Sequence, residues 1–181
     1  MNDWAVENEI AHRGHALVWP SPGKYPDWFE DNYYDADGAY ADEVEAWMID
    51  YIIEVMNEMG ELYAWDVMNE AVHNSAAESD TITDYLKTTP FTPIDDFICT
   101  AFKTAKTVSD ENGWNTLMFY NEYDFESAAE GSEFYTKSAN TYHLMKHLVD
   151  NDCGIDGVGY QTHIDIGYSD DDIQGIKDSF D

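Results

Sequence analysis

The sequence predicts an α/β fold of parallel strands and helices, and two observations support this prediction. Short apolar runs alternate along the chain with longer segments whose apolar residues recur at helical spacing. Such alternation is typical of parallel strands joined by right-handed crossovers. In addition, no internal repeat or low-complexity linker interrupts the 181 residues. We therefore expect a single domain over residues 1–181.

Four predicted strands are each followed by a predicted helix. The strands cover residues 12–19, 65–70, 116–120 and 155–162. The helices cover residues 41–60, 93–113, 132–151 and 171–180, and residues 2–10 have the pattern of a helix end. Residues 24–40 and 73–93 are predicted loops. A complete (β/α)8 TIM barrel takes about 250 residues, so we expect a partial barrel of about half that architecture.

The second predicted strand ends in Asn69 and Glu70, which form the central candidate for a site. In a barrel of parallel strands and outer helices, the carboxyl ends of the strands carry the chemistry. The pair Asn-Glu alone indicates little, because it recurs at residues 8–9, 57–58 and 121–122. A solvated glutamate at a strand end is the simpler alternative. The preceding Trp-Asp pair and the polar residues that end the neighbouring strands favour a function for Glu70.

Polar and aromatic side chains end all four predicted strands. They are His15 and Trp19, Asn69 and Glu70, Asn121, Glu122 and Tyr123, and Gln161 and His163. Amides and imidazoles hydrogen-bond the hydroxyl groups of a sugar, and aromatic rings pack against its apolar face. A buried carboxyl with a raised pKa can protonate a glycosidic oxygen. Together these residue types predict a carbohydrate site.

The charge of the chain excludes several classes of partner. There are 38 acidic and 8 basic residues, the net charge is −30, and Arg13 is the single arginine. So negative a surface repels nucleic acids and anionic lipids, and neither is an expected partner. Screening in molar salt shortens the Debye length to about 3 Å and makes this self-repulsion tolerable. We expect a salt-adapted protein, the alternative being an ordinary soluble acidic one.

The sequence favours neither a cofactor nor a catalytic metal. His143 and His147 stand at i, i+4, a spacing that can bind zinc, but they lie opposite the predicted apolar face of their helix. No His-Glu-x-x-His run and no phosphate-binding glycine loop occur in the sequence. Cys99 and Cys153 allow one disulfide and are expected to be buried, and their redox state stays open. The sequence contains no run of about 18 apolar residues, the length that a membrane-spanning helix needs.

Four segments carry a resemblance to a known family. They are residues 13–19 (RGHALVW) with 26–28 (PDW), residues 65–71 (WDVMNEA), residues 119–123 (FYNEY) and residues 155–163 (IDGVGYQTH). With these segments in the family's order, the chain resembles glycoside hydrolase family 10, the endo-1,4-β-xylanases. Strand-end Asn-Glu also occurs in related barrel glycosidases such as cellulases, and the first and last segments favour the xylanases. The resemblance implies that the chain covers roughly strands 3 to 6 of the barrel.

The resemblance also implies roles for the strand-end residues. Glu70 matches the general acid/base, and Asn69 matches the residue that hydrogen-bonds the sugar 2-hydroxyl at the cleavage site. Gln161 matches a residue that modulates the acid/base, and His163 matches one that hydrogen-bonds the nucleophile.

Four further residues match sugar contacts of the family. His15 and Trp19 match contacts on the glycone side, and Asn121 and Tyr123 match neighbours on the aglycone side.

The sequence departs from the family pattern at several places. Pro20 stands where the family commonly has His, and Glu122 stands where it often has Asp. Nothing matches the nucleophile, a Glu on the seventh strand, or the first two strands with their substrate-binding Asn and Lys. We therefore expect an internal fragment that is inactive alone, since Glu122, Asp124 and Asp165, the nearest other acids, do not match the nucleophile position.

The expected function belongs to the parent protein of this fragment. We expect a secreted enzyme, monomeric when complete, that hydrolyses internal β-1,4 links of xylan with retention. One alternative is a non-catalytic carbohydrate-binding remnant. The other is a related barrel glycosidase that acts on a different β-glycan.

Overall fold

The computed structural model describes residues 2–33, 38–126, 135–163, 167 and 169–178. The strands are β1 (Arg13–Val18), β2 (Ala64–Asn69), β3 (Leu117–Glu122) and β4 (Gly157–Tyr160). The helices are α1 (Asn2–Glu7), α2 (Asp27–Tyr33), α3 (Ala41–Met59), α4 (Ile82–Tyr85), α5 (Phe97–Glu111), α6 (Tyr135–Asp150) and α7 (Asp170–Asp178). Among these, no helix is both long and apolar enough to span a membrane.

The four strands form one parallel sheet in the order β1-β2-β3-β4. Each strand therefore pairs with its neighbour in the chain, as in a barrel, and the prediction of a partial α/β barrel is confirmed. The register aligns Asn69 with Asn121 and Glu122 with Tyr160. Because parallel strands end at one edge of the sheet, this register brings the predicted polar strand ends together.

The core lies between the sheet and the helices that connect its strands. All six residues of β2 are buried, as expected for a central parallel strand that is covered on both faces. Helix α3 buries residues at helical spacing, namely Val44, Met48, Ile52 and Met56. It ends before Gly60, whose φ of 71° is readily adopted only by glycine. This end agrees with the predicted boundary.

Both predicted loops contain a short helix. Helix α2 lies within residues 24–40, where Pro26 precedes it and Asp27 and Glu30 place negative charge in its first turn. Its Phe29 is fully buried, with ring centroids 4.6 Å from Trp47. Residues 34–37 of this predicted loop lie outside the described part. Helix α4 lies within residues 73–93 and buries Tyr85.

The helix predicted to begin at Pro93 begins at Phe97 instead. Asp96 adopts a left-handed backbone conformation with φ 48°, which interrupts the helix before that point. The preceding residues form turns that bury Phe91 and Ile94.

The buried face of α6 differs from the predicted one. The apolar face that the sequence predicts for this helix includes Tyr142 and Val149, but these residues are 65% and 62% exposed. The buried residues include Lys137, Asn140 and Thr141. The helix is turned this way because its polar residues bind the segment that follows β2, where Asn140 Nδ2 donates to Ala77 O at 3.0 Å.

The two histidines of α6 are half-buried and face carboxylates. His143 Nδ1 lies 3.4 Å from Asp80, and His147 Nε2 lies 3.0 Å from Asp96. The prediction that they face solvent is therefore only partly correct.

Cys99 and Cys153 form a disulfide across 54 residues, with both side chains buried. The bond ties α5 to the turn before β4 and resolves the redox state that the sequence left open. The carboxylate of Asp96 lies close to both sulfurs, but these sulfurs are bonded to each other and offer no thiolate.

Candidate active site

Glu70 follows the last residue of β2 in a strained backbone conformation. Its φ is 57°, which non-glycine residues adopt rarely and which surrounding contacts must hold. Its N–H donates to Asn121 O at 2.9 Å. The next N–H, of Ala71, donates to Tyr120 Oη at 3.1 Å, and that of Val72 donates to Glu122 Oε2 at 3.2 Å. Strand β3 thus holds three consecutive N–H groups at the end of β2.

The carboxylate of Glu70 is contacted from three other segments. Trp19 Nε1 donates to Oε2 at 3.1 Å, and Gln161 Nε2 donates to Oε1 at 2.8 Å. Lys87 Nζ lies 3.9 Å from Oε2. The side chain remains 15% exposed, so it is held in place and still open to a ligand.

Asn69 lies beside Glu70 with one polar atom free. Its Oδ1 accepts from Asn121 Nδ2 at 2.8 Å and from Gln161 Nε2 at 3.4 Å. Its buried Nδ2 has no partner among the described residues. Buried polar atoms are rarely left unpaired, so this amide N–H is a donor available to a ligand oxygen.

His15 is oriented by a buried carboxylate that the sequence reasoning missed. Asp66 is 3% exposed, and its Oδ2 lies 2.8 Å from His15 Nδ1. Arg13 also binds Asp66, with Nε 2.9 Å from Oδ1. The sequence signal for this shared carboxylate was the two-residue spacing of Arg13 and His15, which places both side chains on one face of β1. Trp19 packs edge-on against His15, with ring centroids 5.9 Å apart.

Gln161 links Glu70 to His163. Because its Nε2 must donate to the Glu70 carboxylate, its Oε1 faces His163 Nε2 at 2.9 Å. That imidazole nitrogen must then carry a proton. The predicted pair from the fourth strand is therefore joined into one chain of hydrogen bonds.

Asn121 and Tyr123 lie on either side of the buried residue Glu122. Asn121 reaches Asn69 because Gly159 leaves room for it, since a Cβ on Gly159 would lie 2.5 Å from Asn121 Oδ1. The ring of Tyr123 packs against the ammonium groups of two lysines. Lys137 Nζ lies 3.4 Å from the ring centroid, and Lys87 Nζ lies 5.5 Å from it. Burial raises the pKa of Tyr123.

All predicted site residues therefore lie around one strand-end cluster, and comparison with known proteins identifies the family to which this site belongs. The sequence profile described as Glycosyl hydrolase family 10 matches residues 1–180. The chain belongs to this family. The resemblance found in the sequence is confirmed.

Relatives in the family are named as xylanases. A beta-1,4-xylanase from Dictyoglomus thermophilum is 32% identical over 167 residues, which are 89% of this chain and 39% of that protein. Endo-1,4-beta-xylanase A from Caldicellulosiruptor saccharolyticus is 29% identical over 171 residues, or 92% of this chain and 44% of that protein.

Solved structures in the family share the fold. An endo-1,4-beta-xylanase from Caldicellulosiruptor owensensis has a TM-score of 0.72 at 28% identity, covering 99% of this chain and 49% of that structure. Xylanase 10C from Cellvibrio japonicus has a TM-score of 0.73 at 26% identity, covering 98% and 34% respectively. The chain thus spans half or less of these relatives.

Glu122, the family 10 departure noted above, lies in a fully buried network. Its Oε1 lies 3.0 Å from Lys137 Nζ and accepts from Tyr123 N at 3.0 Å. Its Oε2 accepts from Tyr120 Oη at 2.6 Å and from Val72 N at 3.2 Å. Burial raises the pKa of Glu122, and the Lys137 ammonium acts against that shift. Four donors occupy its two oxygens, so Glu122 is not poised to attack a sugar.

Of the other two acids considered as nucleophile, the structure describes Asp124. Asp124 follows β3 with a left-handed φ of 53° and makes no described contact with Glu70. Asp165 lies outside the described residues.

Four of the eight basic residues of this family 10 chain contact residues of the site or carboxylates next to it. Arg13 binds Asp66, Lys87 lies near Glu70, Lys137 binds Glu122, and Lys24 Nζ lies 4.2 Å from the Trp19 ring centroid. Burial lowers the pKa of Lys87, while Glu122 and Glu70 act in the opposite direction. Lys103 and Lys177 are exposed, and Lys106 and Lys146 pair with acids one helical turn away.

Proposed function

We propose that the full-length protein containing this chain is a retaining endo-1,4-β-xylanase in which Glu70 is the general acid/base. The observation that carries the proposal is the convergence of Trp19, Gln161 and Lys87 on the carboxylate of Glu70. The relatives named above support the substrate class. Xylanase 10C from Cellvibrio japonicus, 26% identical, was solved as a mutant with xylopentaose.

The reaction proceeds in two steps that use Glu70 in opposite senses. In the first step, Glu70 donates its proton to the glycosidic oxygen while a nucleophilic Glu outside this chain attacks the anomeric carbon. The glycosidic bond breaks and a glycosyl-enzyme forms. In the second step, ionised Glu70 takes a proton from water, which attacks the anomeric carbon and releases the nucleophile.

The neighbours of Glu70 bind the substrate and fix its orientation. Asn69 Nδ2, which has no partner in the described structure, donates to the sugar 2-hydroxyl. His15 and Trp19 contact the sugar on the glycone side, and Asn121 and Tyr123 shape the aglycone side.

Gln161 and His163 each bind one of the two catalytic carboxyls. Gln161 holds Glu70 through its amide, and His163 stands at its other end to contact the nucleophile.

The full-length protein of this proposal is a secreted monomer. The Cys99–Cys153 disulfide fits an oxidising, extracellular compartment, where a polymer such as xylan is accessible.

The test is Glu70→Gln in the full-length protein, with hydrolysis followed as reducing ends released from xylan. We expect a loss of about 10²–10⁴-fold on xylan, because the leaving oxygen is no longer protonated. An aryl glycoside with an activated leaving group should lose far less in the first step, because it needs no proton. The matched control is Glu58→Gln, which changes the same Asn-Glu dipeptide on the exposed face of α3 and should leave both activities unchanged.

Three outcomes would contradict the proposal. Equal losses on both substrates would remove the acid role of Glu70. Binding of xylan without hydrolysis by the unaltered protein would indicate a carbohydrate-binding remnant. Faster hydrolysis of another β-glycan would indicate a related barrel glycosidase.

A further inference from the structure

A buried ion pair contacts the backbone immediately after Glu70. Glu122 and Lys137 are 0% and 1% exposed, and neither side chain reaches the open side of the site where Glu70 is accessible. Alternation along β3 explains this placement, because Asn121 faces Asn69 and the next residue points to the opposite side of the sheet.

Two contacts connect this pair to the strained turn at Glu70. The direct contact is the Val72 N–H, which donates to Glu122 Oε2 at 3.2 Å. The indirect contact runs through Tyr120, whose hydroxyl donates to Glu122 Oε2 at 2.6 Å and accepts from the Ala71 N–H at 3.1 Å. A buried carboxylate therefore determines the direction of the Tyr120 hydroxyl proton and the positions of two N–H groups.

We infer that Glu122, with Lys137 as its counter-ion, is a positioning residue for Glu70. It holds the backbone of residues 70–72 so that Glu70 keeps its left-handed φ and its carboxylate stays between Trp19 and Gln161. The inference rests on the acid/base role proposed for Glu70.

The chemistry of the site requires a carboxylate at this position. All four groups around Glu122 are hydrogen-bond donors, so an acceptor-only side chain satisfies them all. A glutamine would turn an NH2 group either toward the Lys137 ammonium or toward the Val72 N–H and the Tyr120 hydroxyl. One side of the network would then lose its acceptor, and the turn would lose a restraint.

Stability alone does not explain the pair. A buried ion pair is often replaceable by well-packed apolar residues without loss of stability. Apolar residues could not bind the Val72 N–H or align the Tyr120 hydroxyl, whereas the carboxylate does both.

The experiment compares Glu122→Gln, Glu122→Asp and Tyr120→Phe in the full-length protein, with Glu70→Gln in parallel. Each variant is assayed for kcat and KM on xylan and on an aryl glycoside with an activated leaving group. Hydrogen exchange of the peptide that covers residues 69–73 reports the local backbone. The matched control is Asp156→Asn, because Asp156 Oδ2 also accepts a backbone N–H of the sheet, that of Met118 at 2.8 Å, but at the opposite end of β3.

We expect Glu122→Gln to lower kcat on xylan at least tenfold with less than a threefold change in KM, and to lower kcat on the activated substrate much less. Exchange at residues 70–72 should accelerate. Glu122→Asp, which keeps the charge, should recover most of the loss, and Asp156→Asn should behave as the unaltered protein. If Glu122→Gln does not fold, Tyr120→Phe serves instead, and a loss of about threefold with the same dependence on the leaving group is expected.

The inference fails if kcat of the folded variant stays within twofold on xylan, or if both substrates lose activity equally, as a purely structural role predicts. If Glu122→Gln gives one of these results while Glu70→Gln loses much more activity on xylan than on the activated substrate, the inference is overturned and the proposed function stands. Normal xylan hydrolysis by Glu70→Gln would instead overturn the proposed function on which the inference rests.

Discussion

The dipeptide Asn-Glu ends two neighbouring strands, and its two copies have opposite environments. Asn69 and Asn121 pair in register and share a hydrogen bond, so the two dipeptides start from equivalent positions. Glu70 then turns through a positive φ and places its carboxylate at the open strand ends. Glu122 continues β3 and points to the opposite side, where Lys137 and Tyr120 enclose it.

The difference shows that the backbone at the strand end, not the dipeptide, selects the residue available for chemistry. β2 ends at Asn69, whereas β3 includes Glu122. Because side chains alternate along a strand, one additional strand residue moves a carboxylate from the site to the outer layer of the barrel. The two glutamates are also coupled, since Glu122 accepts a hydrogen bond from the turn that carries Glu70.

The largest effect is expected for the activity of residues 1–181 alone, which tests whether Glu122 can act as the second carboxyl of the reaction. Residues 1–181 alone should release no reducing ends from xylan above background. Retaining hydrolysis needs two carboxyls about 5–5.5 Å apart, and both oxygens of Glu122 are occupied. The strands β1 and β4 also form edges of the described sheet, so this chain alone should aggregate or stay partly unfolded. Turnover that survives purification and disappears in Glu122→Ala would make Glu122 the nucleophile.

A smaller effect is expected on stability when the buried pair of Glu122 and Lys137 is broken. Lys137→Met should lower the free energy of unfolding of the full-length protein by about 3–5 kcal/mol, because it leaves a buried carboxylate without its counter-ion. Changing Glu122 to Leu as well should recover part of this loss, with the unpaired Val72 N–H still costing about 1–3 kcal/mol. Urea unfolding midpoints provide the measurement.

Lys146→Met is the control for that series. It lies on the same helix, but its partner Asp150 is exposed, and the midpoint should not move. A midpoint for Lys137→Met that equals the control's would show that the buried pair contributes nothing.

The smallest expected effect separates surface charge from the buried pair. Added KCl should raise the thermal midpoint of the full-length protein by several degrees, because it screens repulsion among the acids. The difference between the unaltered protein and Lys137→Met should persist in molar KCl, since mobile ions do not reach a pair that is 0% and 1% exposed. A midpoint that is flat or falls with salt would contradict the salt-adapted interpretation.

Sequence reasoning located the strands because their signals are local. An apolar run, followed by a polar residue and then by a turn, placed β1 to β4 and brought Glu70, Gln161 and His15 to one edge. The disulfide remained one of two options, since the proximity of Cys99 and Cys153 depends on how α5 and β4 pack.

The missed features depend on contacts between distant segments. Tyr142 on α6 is exposed although the helical pattern predicts that it is buried. The helix instead turns Lys137 inward, where it pairs with Glu122. Nothing within the local sequence of Lys137 signals that partner. Likewise, the strained φ of Glu70 is held by contacts from β3, and it gives this carboxylate a different environment from that of Glu122.

The placement of the basic residues has a consequence for how this protein can change. Arg13, Lys87 and Lys137 lie against carboxylates in or next to β2 and β3, while the exposed surface is dominated by acids. Acids on outer helix faces can therefore be exchanged for lysines, which changes the net charge, without touching those three positions. In this chain, the residues that set the surface charge and the residues that form the ion pairs near Glu70 are therefore different residues.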